Sequence, residues 1–204
     1  MNPVLTLDHV SYSYHTPSGE TPALKDVSFS VRPGSFTSIA GPSGCGKSTL
    51  LSLIAGLIAP EKGCIRFYKS DAMPATARIG YMLQHDTLLE WRTIYKNILL
   101  GLEVTHQCTE QKKRLAADMM HDYGLASFKN AHPSELSGGM RQRAALIRTL
   151  VLEPDILLLD EPFSALDYQT RLEVSDDIFR IIKEQEKTAL LVTHDISEAI
   201  AMGE

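Results

Sequence analysis

The order of apolar and polar positions divides the chain into segments of different period. VLTLDHVSYSY (4–14) and ALKDVSFSV (23–31) alternate, as strands with one buried face do, and PSGE (17–20) predicts the turn between them. SFTSIA (35–40) is a short strand that runs straight into a glycine-rich loop. STLLSLIAGLI (48–58) repeats apolar residues at helical spacing, and GCIRFYKS (63–70) and ARIGYMLQ (77–84) predict two further strands. Residues 93–152 then turn mostly helical. Within them TEQKKRLAADMMHDYGL sets Leu115, Met119 and Tyr123 on one face, with Thr109 as N-cap and Gly124 as stop. The strand–helix alternation resumes with DILLLDE (155–161), a helix over 168–187 and a last strand, TALLVTHD (188–195). An unbroken apolar run such as ILLLD is what a parallel strand buried on both faces requires. The pattern is therefore α/β, interrupted by a helical segment, with no internal repeat and no low-complexity stretch.

Composition narrows this picture. A chain of 204 residues is long enough for one sizeable core or a core with a small subdomain. Its net charge of −5 and the lack of a long basic run argue against nucleic acid as a partner; the densest basic cluster, QKKR (111–114), reads as a solvated helix face. Cys45, Cys64 and Cys108 are spaced for neither a disulfide framework nor a zinc site, which suits a reducing compartment. The start MNPVLTLDH has no signal-peptide pattern. The longest apolar run, LLSLIAGLIA (50–59), is too short to span a bilayer, so work at a membrane would require docking on another protein.

Three apolar strands stop at polar residues: YMLQ at Gln84, ILLLDE at Asp160 and Glu161, and LLVTHD at His194. Ligands of open α/β sheets bind at the carboxyl ends of the strands, and the strand–loop–helix SIA, GPSGCGKS, TLLSLI puts a phosphate cradle on that edge. GPSGCGKS (41–48) fits GxxxxGK[ST] without departure. In such a loop Gly41, Pro42, Ser43, Gly44, Cys45 and Gly46 wrap a phosphate chain, Lys47 gives a point charge to the outer phosphates, and Ser48 offers a hydroxyl to Mg²⁺ with Thr49 behind it. Asp160 is the natural Mg²⁺ partner through water and Glu161 is placed to polarise an attacking water; the plainer role for both is to cap the segment that follows. Tyr12 and Tyr14 share a predicted strand face with Val10, so they either pack in the core or offer a ring to adenine. A second anion site stands at LSGGMRQR (136–143), where Ser137, Gly138 and Gly139 open a helix whose first N–H groups are bare.

GPSGCGKS, Gln84, LSGGM, ILLLDE, SALD (164–167) and His194, in this order, resemble the ATPase subunit of ABC transporters across essentially the whole chain. The resemblance implies a P-loop NTPase (RecA-like) α/β fold: a mostly parallel core sheet, an antiparallel β subdomain and an inserted α-helical subdomain over about 85–150, in a single domain of 1–204. It implies ATP and Mg²⁺ as cofactors and ATP hydrolysis as the reaction. Tyr14 matches the aromatic that stacks on adenine, Gln84 the glutamine that touches Mg²⁺ and senses the membrane subunit, Glu161 the catalytic base, His194 the histidine on the γ-phosphate and Asp167 a dimer-contact aspartate. Two subunits of this family pair head to tail, Ser137–Gly139 of each capping the ATP held by the P-loop of the other. The implied partners are thus a second copy, a membrane permease and, indirectly, a solute-binding protein, at the cytoplasmic face of a prokaryotic cell membrane.

LSGGMRQR and TLLEWRTIYKNILLGLE resemble importers of nitrate, sulfonate and taurine, a group that includes carriers of thiamine-precursor pyrimidines; Glu90 stands where that group has proline. Leu88, Leu89 and Trp91 either form an apolar patch for a helix of the membrane subunit or pack inside the helical subdomain. Members of the family usually continue well past the histidine, whereas this chain stops at AMGE, which implies a shortened C-terminus and an incomplete sheet. The competing readings are a non-transport ATPase of the same superfamily and an ATP-gated interaction module.

Overall fold

The computed structural model describes residues 2–17, 19–68 and 73–202. Ser18 of the predicted turn, Lys69 and Ser70 at the end of a predicted strand, and Gly203 and Glu204 of AMGE lie outside the described residues. The chain forms two compact units. One comprises Met1–Ile79, Asp155–Asp160 and Ile182–Glu204, the other Gly80–Pro154 and Glu161–Ile181.

In the first unit β1 (Leu5–Thr16) pairs antiparallel with β2 (Gly19–Val31) on one side and β4 (Lys62–Tyr68) on the other, and the two-residue β5 (Pro74–Ala75) pairs antiparallel with the far side of β4. The alternation read from β1 does not run its full length. Leu5 and Leu7 are buried, but His9 takes a positive φ of 52° and the ladder slips there, at Val10/Tyr12 and again at Tyr12/Ser13. Each bulge shifts the phase of the strand. Val10 and Ser13 therefore point inward, while Tyr12 is half-buried and Tyr14 is 44% exposed. Of the three residues expected on one face, Tyr12 and Tyr14 keep their rings in contact, but only Val10 is buried, so core packing does not hold for Tyr14.

The second layer of this unit is parallel. β8 (Thr188–Thr193) lies between β3 (Phe36–Ala40) and β7 (Ile156–Asp160), with Ile39 opposite Val192 and Leu158 opposite Leu190. Every residue of β7 and β8 is buried, which is the environment that ILLLD demands. α1 (Lys47–Ile54) follows β3 and ends four residues earlier than its apolar pattern suggested. Gly56 at φ 71° closes it, with Leu57 N–H donating back to Ser52 O, and Leu57 is left 69% exposed. A helix not foreseen from the pattern, α6 (Ile196–Met202), packs on β3 and β8.

The second unit begins in β6 (Ile79–Met82) and holds α2 (Ile94–Val104), α3 (Glu110–Asp122), α4 (Gly138–Leu150) and most of α5 (Tyr168–Glu184). α2, α3 and α4 pack on one another around Ile94, Ile98, Leu102, Met120, Leu146 and Leu150. One device starts all three: the hydroxyls of Thr93, Thr109 and Ser137 accept from the amides of Lys96, Lys112 and Met140. α3 stops at Gly124, φ 73°, as its sequence requires. Its buried stripe is Ala116, Met119 and Met120, with Leu115 and Tyr123 half-buried.

Between β6 and α2 the chain is held by the fully buried Asn97, whose Oδ1 accepts from Leu89 N–H (2.7 Å) and whose Nδ2 donates to the carbonyls of Leu89, Arg92 and Thr93. This fixes the fate of the LLEW stretch. Leu88 is buried and packs inside, Leu89 is half-buried, and Trp91 is 76% exposed.

Candidate functional site

The glycine-rich loop is built to leave donors bare. Gly46 caps α1 at φ 99°, and a Cβ there would lie 2.4 Å from the carbonyl oxygen of Ala23 on β2. Glycine alone meets both conditions, and having no side chain it leaves the first amides of α1 uncapped. Lys47 is buried and folds back, its Nζ donating to the carbonyls of Gly41 (2.8 Å) and Pro42 (3.0 Å). The ammonium thus sits inside the curl of the loop, where a phosphate chain can take over from the two carbonyls.

At the mouth of the loop the Ser48 hydroxyl donates to Asp160 Oδ1 at 2.9 Å. Two residues 112 positions apart meet because β7 ends beside the start of α1 in the same unit. A hydroxyl and a carboxylate, oxygen donors both, beside a phosphate cradle are a set that a hard divalent cation such as Mg²⁺ accepts. Tyr14 Oη is 3.1 Å from Thr49 Oγ1, and its ring stands edge-on to Tyr12 with centroids 5.1 Å apart. The half-open ring is thereby tied to the helix that follows the loop. His194 is exposed just past β8, in a turn fixed by Thr193: the Thr193 hydroxyl donates to the buried Glu198 (2.6 Å) and accepts from Asp195 N–H (3.0 Å).

The second unit carries the other candidates. Ser137, Gly138 and Gly139 open α4 at a cleft of about 540 Å³ that Asp167, Thr170 and Asp177 also line. Asp167 Oδ1 accepts from Thr170 N–H (3.1 Å), capping α5. The Thr170 hydroxyl and amide hold the Asp167 carboxyl below the usual carboxylate range. Glu161, next in sequence to Asp160, has a positive φ of 44°. That backbone is uncommon for a residue with a Cβ, and Glu161 shares it with six other non-glycine described residues, Thr87 among them. Gln84 is exposed two residues beyond β6, and its Nε2 donates to Ser164 Oγ at 3.3 Å.

Residues 86–87, just past Gln84, are held by a clamp that no motif in the sequence marks. Arg148 of α4 donates to Asp86 O (2.7 Å), Thr87 O (2.9 Å) and Thr87 Oγ1 (2.9 Å), and Arg141 Nε donates to Asp86 Oδ2 (3.1 Å). Burial pushes the Arg148 guanidinium below its ordinary range, with Asp86 opposing. The one available signal was spacing: Arg141 and Arg148 are seven apart and so share a helix face.

Comparison with known proteins bears on this arrangement. The model of the family described as ABC transporter matches residues 24–164. An ABC transporter ATP-binding protein, YtlC, of Bacillus subtilis (strain 168) is 50% identical over 98% of this chain and 77% of its own length. The aliphatic sulfonates import ATP-binding protein SsuB 1 of Rhodococcus jostii (strain RHA1) is 44% identical over 91% of this chain and 72% of its own. Among solved structures, the ATP-binding cassette MJ0796, dimeric in a post-hydrolysis state with ADP and Pi, is similar with a TM-score of 0.77 and 32% identity, over 96% of this chain and 90% of that one. With a P-loop closed on its lysine, a carboxylate-ended parallel strand against it, and LSGG opening a capped helix in a separate helical unit, the chain belongs to the ABC transporter family and is built as that family's ATPase cassette.

Proposed function

We propose that this chain binds and hydrolyses ATP, and that two copies energise a membrane permease importing nitrate, a sulfonate, taurine or a related small solute. The observation that carries the reading is the Ser48–Asp160 contact at the mouth of a loop whose helix start is left uncapped. Residues 41–49 wrap the phosphates, with Lys47 exchanging its two carbonyl partners for phosphate oxygens. Tyr14 offers its exposed ring face to adenine while Thr49 holds the hydroxyl. Ser48 and Asp160 would hold Mg²⁺, which would neutralise phosphate charge when bound, and Gln84 takes the metal-touching role that the family resemblance implies. Glu161 takes the proton of the attacking water and His194 contacts the γ-phosphate. Ser137, Gly138 and Gly139, beside Asp167, serve the nucleotide of the second copy. The exposed Trp91 belongs to the surface that meets the permease at the cytoplasmic face of a prokaryotic membrane, with a solute-binding protein supplying the solute. The sulfonate-import relative supports the choice of solute class.

Glu161→Gln is expected to bind a fluorescent ATP analogue normally and to lose turnover by about 10²–10⁴-fold, the contribution of a general base. Undiminished turnover would make Glu161 structural. The pairing is tested by mixing Gly138→Asp with Lys47→Ala. A mixed pair has one composite site with both motifs intact, so ATP-dependent heterodimers are expected where neither parent dimerises. Loss of ATP binding by isolated Gly138→Asp monomers would exclude action in trans.

A further inference from the structure

Among the described residues one group of three side chains brings metal-ligating atoms within 4.8 Å of one another: His15, Glu20 and Glu61. The sheet assembles it from three places in the chain. His15 near the end of β1 lies directly opposite Glu20 near the start of β2, so their side chains leave the hairpin on the same face. Glu61 is brought alongside by its amide, which donates to Ser11 O (3.0 Å) as the chain enters β4. The His15 ring is already oriented, with Nε2 2.6 Å from Glu61 Oε1.

We propose that these three residues form a surface site for a first-row divalent transition ion, with Zn²⁺ as the representative. One imidazole nitrogen and two carboxylate oxygens suit such an ion, and the fourth position is left to water. Zn–N and Zn–O bonds of about 2.0–2.2 Å place tetrahedral ligand atoms roughly 3.3 Å apart. The His15–Glu61 hydrogen bond opens to that separation and the longer gaps close by rotation of exposed side chains. Two carboxylates balance the charge of the ion. Mg²⁺ is a poor occupant, because it demands octahedral oxygen and gives up water reluctantly. The bound ion ties the hairpin that carries Tyr14 to the entry of β4.

The neighbouring histidine supplies a control within the same sheet. His9 also stands between two carboxylates, Asp26 at 2.6 Å and Asp8 at 3.9 Å, but Asp26 meets Nδ1 and Asp8 meets Nε2. The two nitrogens point away from each other, so those carboxylates cannot share one ion with the ring.

The test is a Zn²⁺ titration of the nucleotide-free full chain, by calorimetry and by histidine ring ¹⁵N spectra. One saturable equivalent is expected, with the His15 Nε2 resonance moving and a large excess of Mg²⁺ failing to displace it. His15→Ala and Glu61→Gln should each weaken binding at least about tenfold, the lower end of what loss of even an outer-sphere partner costs. His9→Ala should leave it unchanged. The spectra of the unmodified chain decide the matter should a variant fold poorly. Absence of a saturable equivalent, unaltered affinity in His15→Ala, or movement of His9 in place of His15 would overturn the proposal.

Discussion

The two helices that open on glycine-rich motifs begin in opposite ways. α1 starts from Gly46 in the left-handed region, with no side-chain cap, and a buried Lys47 bonded to two loop carbonyls. α4 starts from Ser137 in extended conformation, its hydroxyl already accepting from Met140 N–H at 3.3 Å. The first helix start leaves its amides without a side-chain acceptor and so open to water or an anion. The second is partly satisfied by its own serine and folds as ordinary helices fold. An uncapped start with an internal cation suits tight holding of an anion; a capped start in a polar cleft suits an anion delivered on another surface.

The sharpest break of this comparison is a methyl group placed at each start. Gly46→Ala combines a φ of 99° with a Cβ 2.4 Å from the Ala23 carbonyl, and a loss of about 3 kcal/mol or more is expected in denaturant unfolding. At Gly138 the added Cβ meets only the flexible end of Leu166, 2.8 Å away, and about 1 kcal/mol or less is expected. Equal losses would mean that the two starts are built to the same tolerance.

Lys47→Ala asks whether the buried ammonium is the grip of the first start. Equilibrium binding of a fluorescent ATP analogue should weaken about 100-fold, or roughly 2.7 kcal/mol. Wild-type affinity would leave the lysine as a loop-closing residue only. Arg148→Ala asks how the second unit holds its own loop. Three charge-assisted bonds to residues 86 and 87 disappear, and about 2 kcal/mol of stability should go with them. Limited proteolysis should find new cleavage near Thr87, a non-glycine residue held at φ 48°. An unchanged digest would show that Asn97 suffices to hold the segment.

The smallest effect concerns Asp155, ahead of β7. Burial pushes its carboxyl up, but the amide and guanidinium of Arg78 outweigh that and hold it below the usual carboxylate range. A carboxyl depressed in the folded state stabilises above its unfolded value of about 3.9 and loses that contribution as pH falls through its folded value. Asp155→Asn should therefore cost up to about 0.5 kcal/mol at neutral pH and nothing in strong acid, read from melting curves across pH. A constant cost at all pH values would assign the loss to packing.

Much of this could be read from residue order, for identifiable reasons. Fully apolar runs report burial on both faces, so ILLLD and ALLV became β7 and β8 without ambiguity. GPSGCGKS is local chemistry: its glycines, lysine and serine are adjacent in the chain, and their spacing is their geometry. Thr109 and Gly124 bounded α3 because caps act within one turn. Where a position depends on what lies across from it, the pattern misled or fell silent. Tyr14 is exposed on an irregular strand whose register slips three times, and Leu88 is buried next to a loop that Asn97 anchors.

By itself, then, the sequence determined the parallel core strands, the phosphate loop and the capped helices, because each rests on interactions among near neighbours. Only the tertiary structure decided that Ser48 meets Asp160 across 112 residues, that Arg148 holds the turn at 86–87, and that His15, Glu20 and Glu61 converge. Those depend on which strand ends and helix faces the fold brings together, and no local period in the chain encodes a partner that distant.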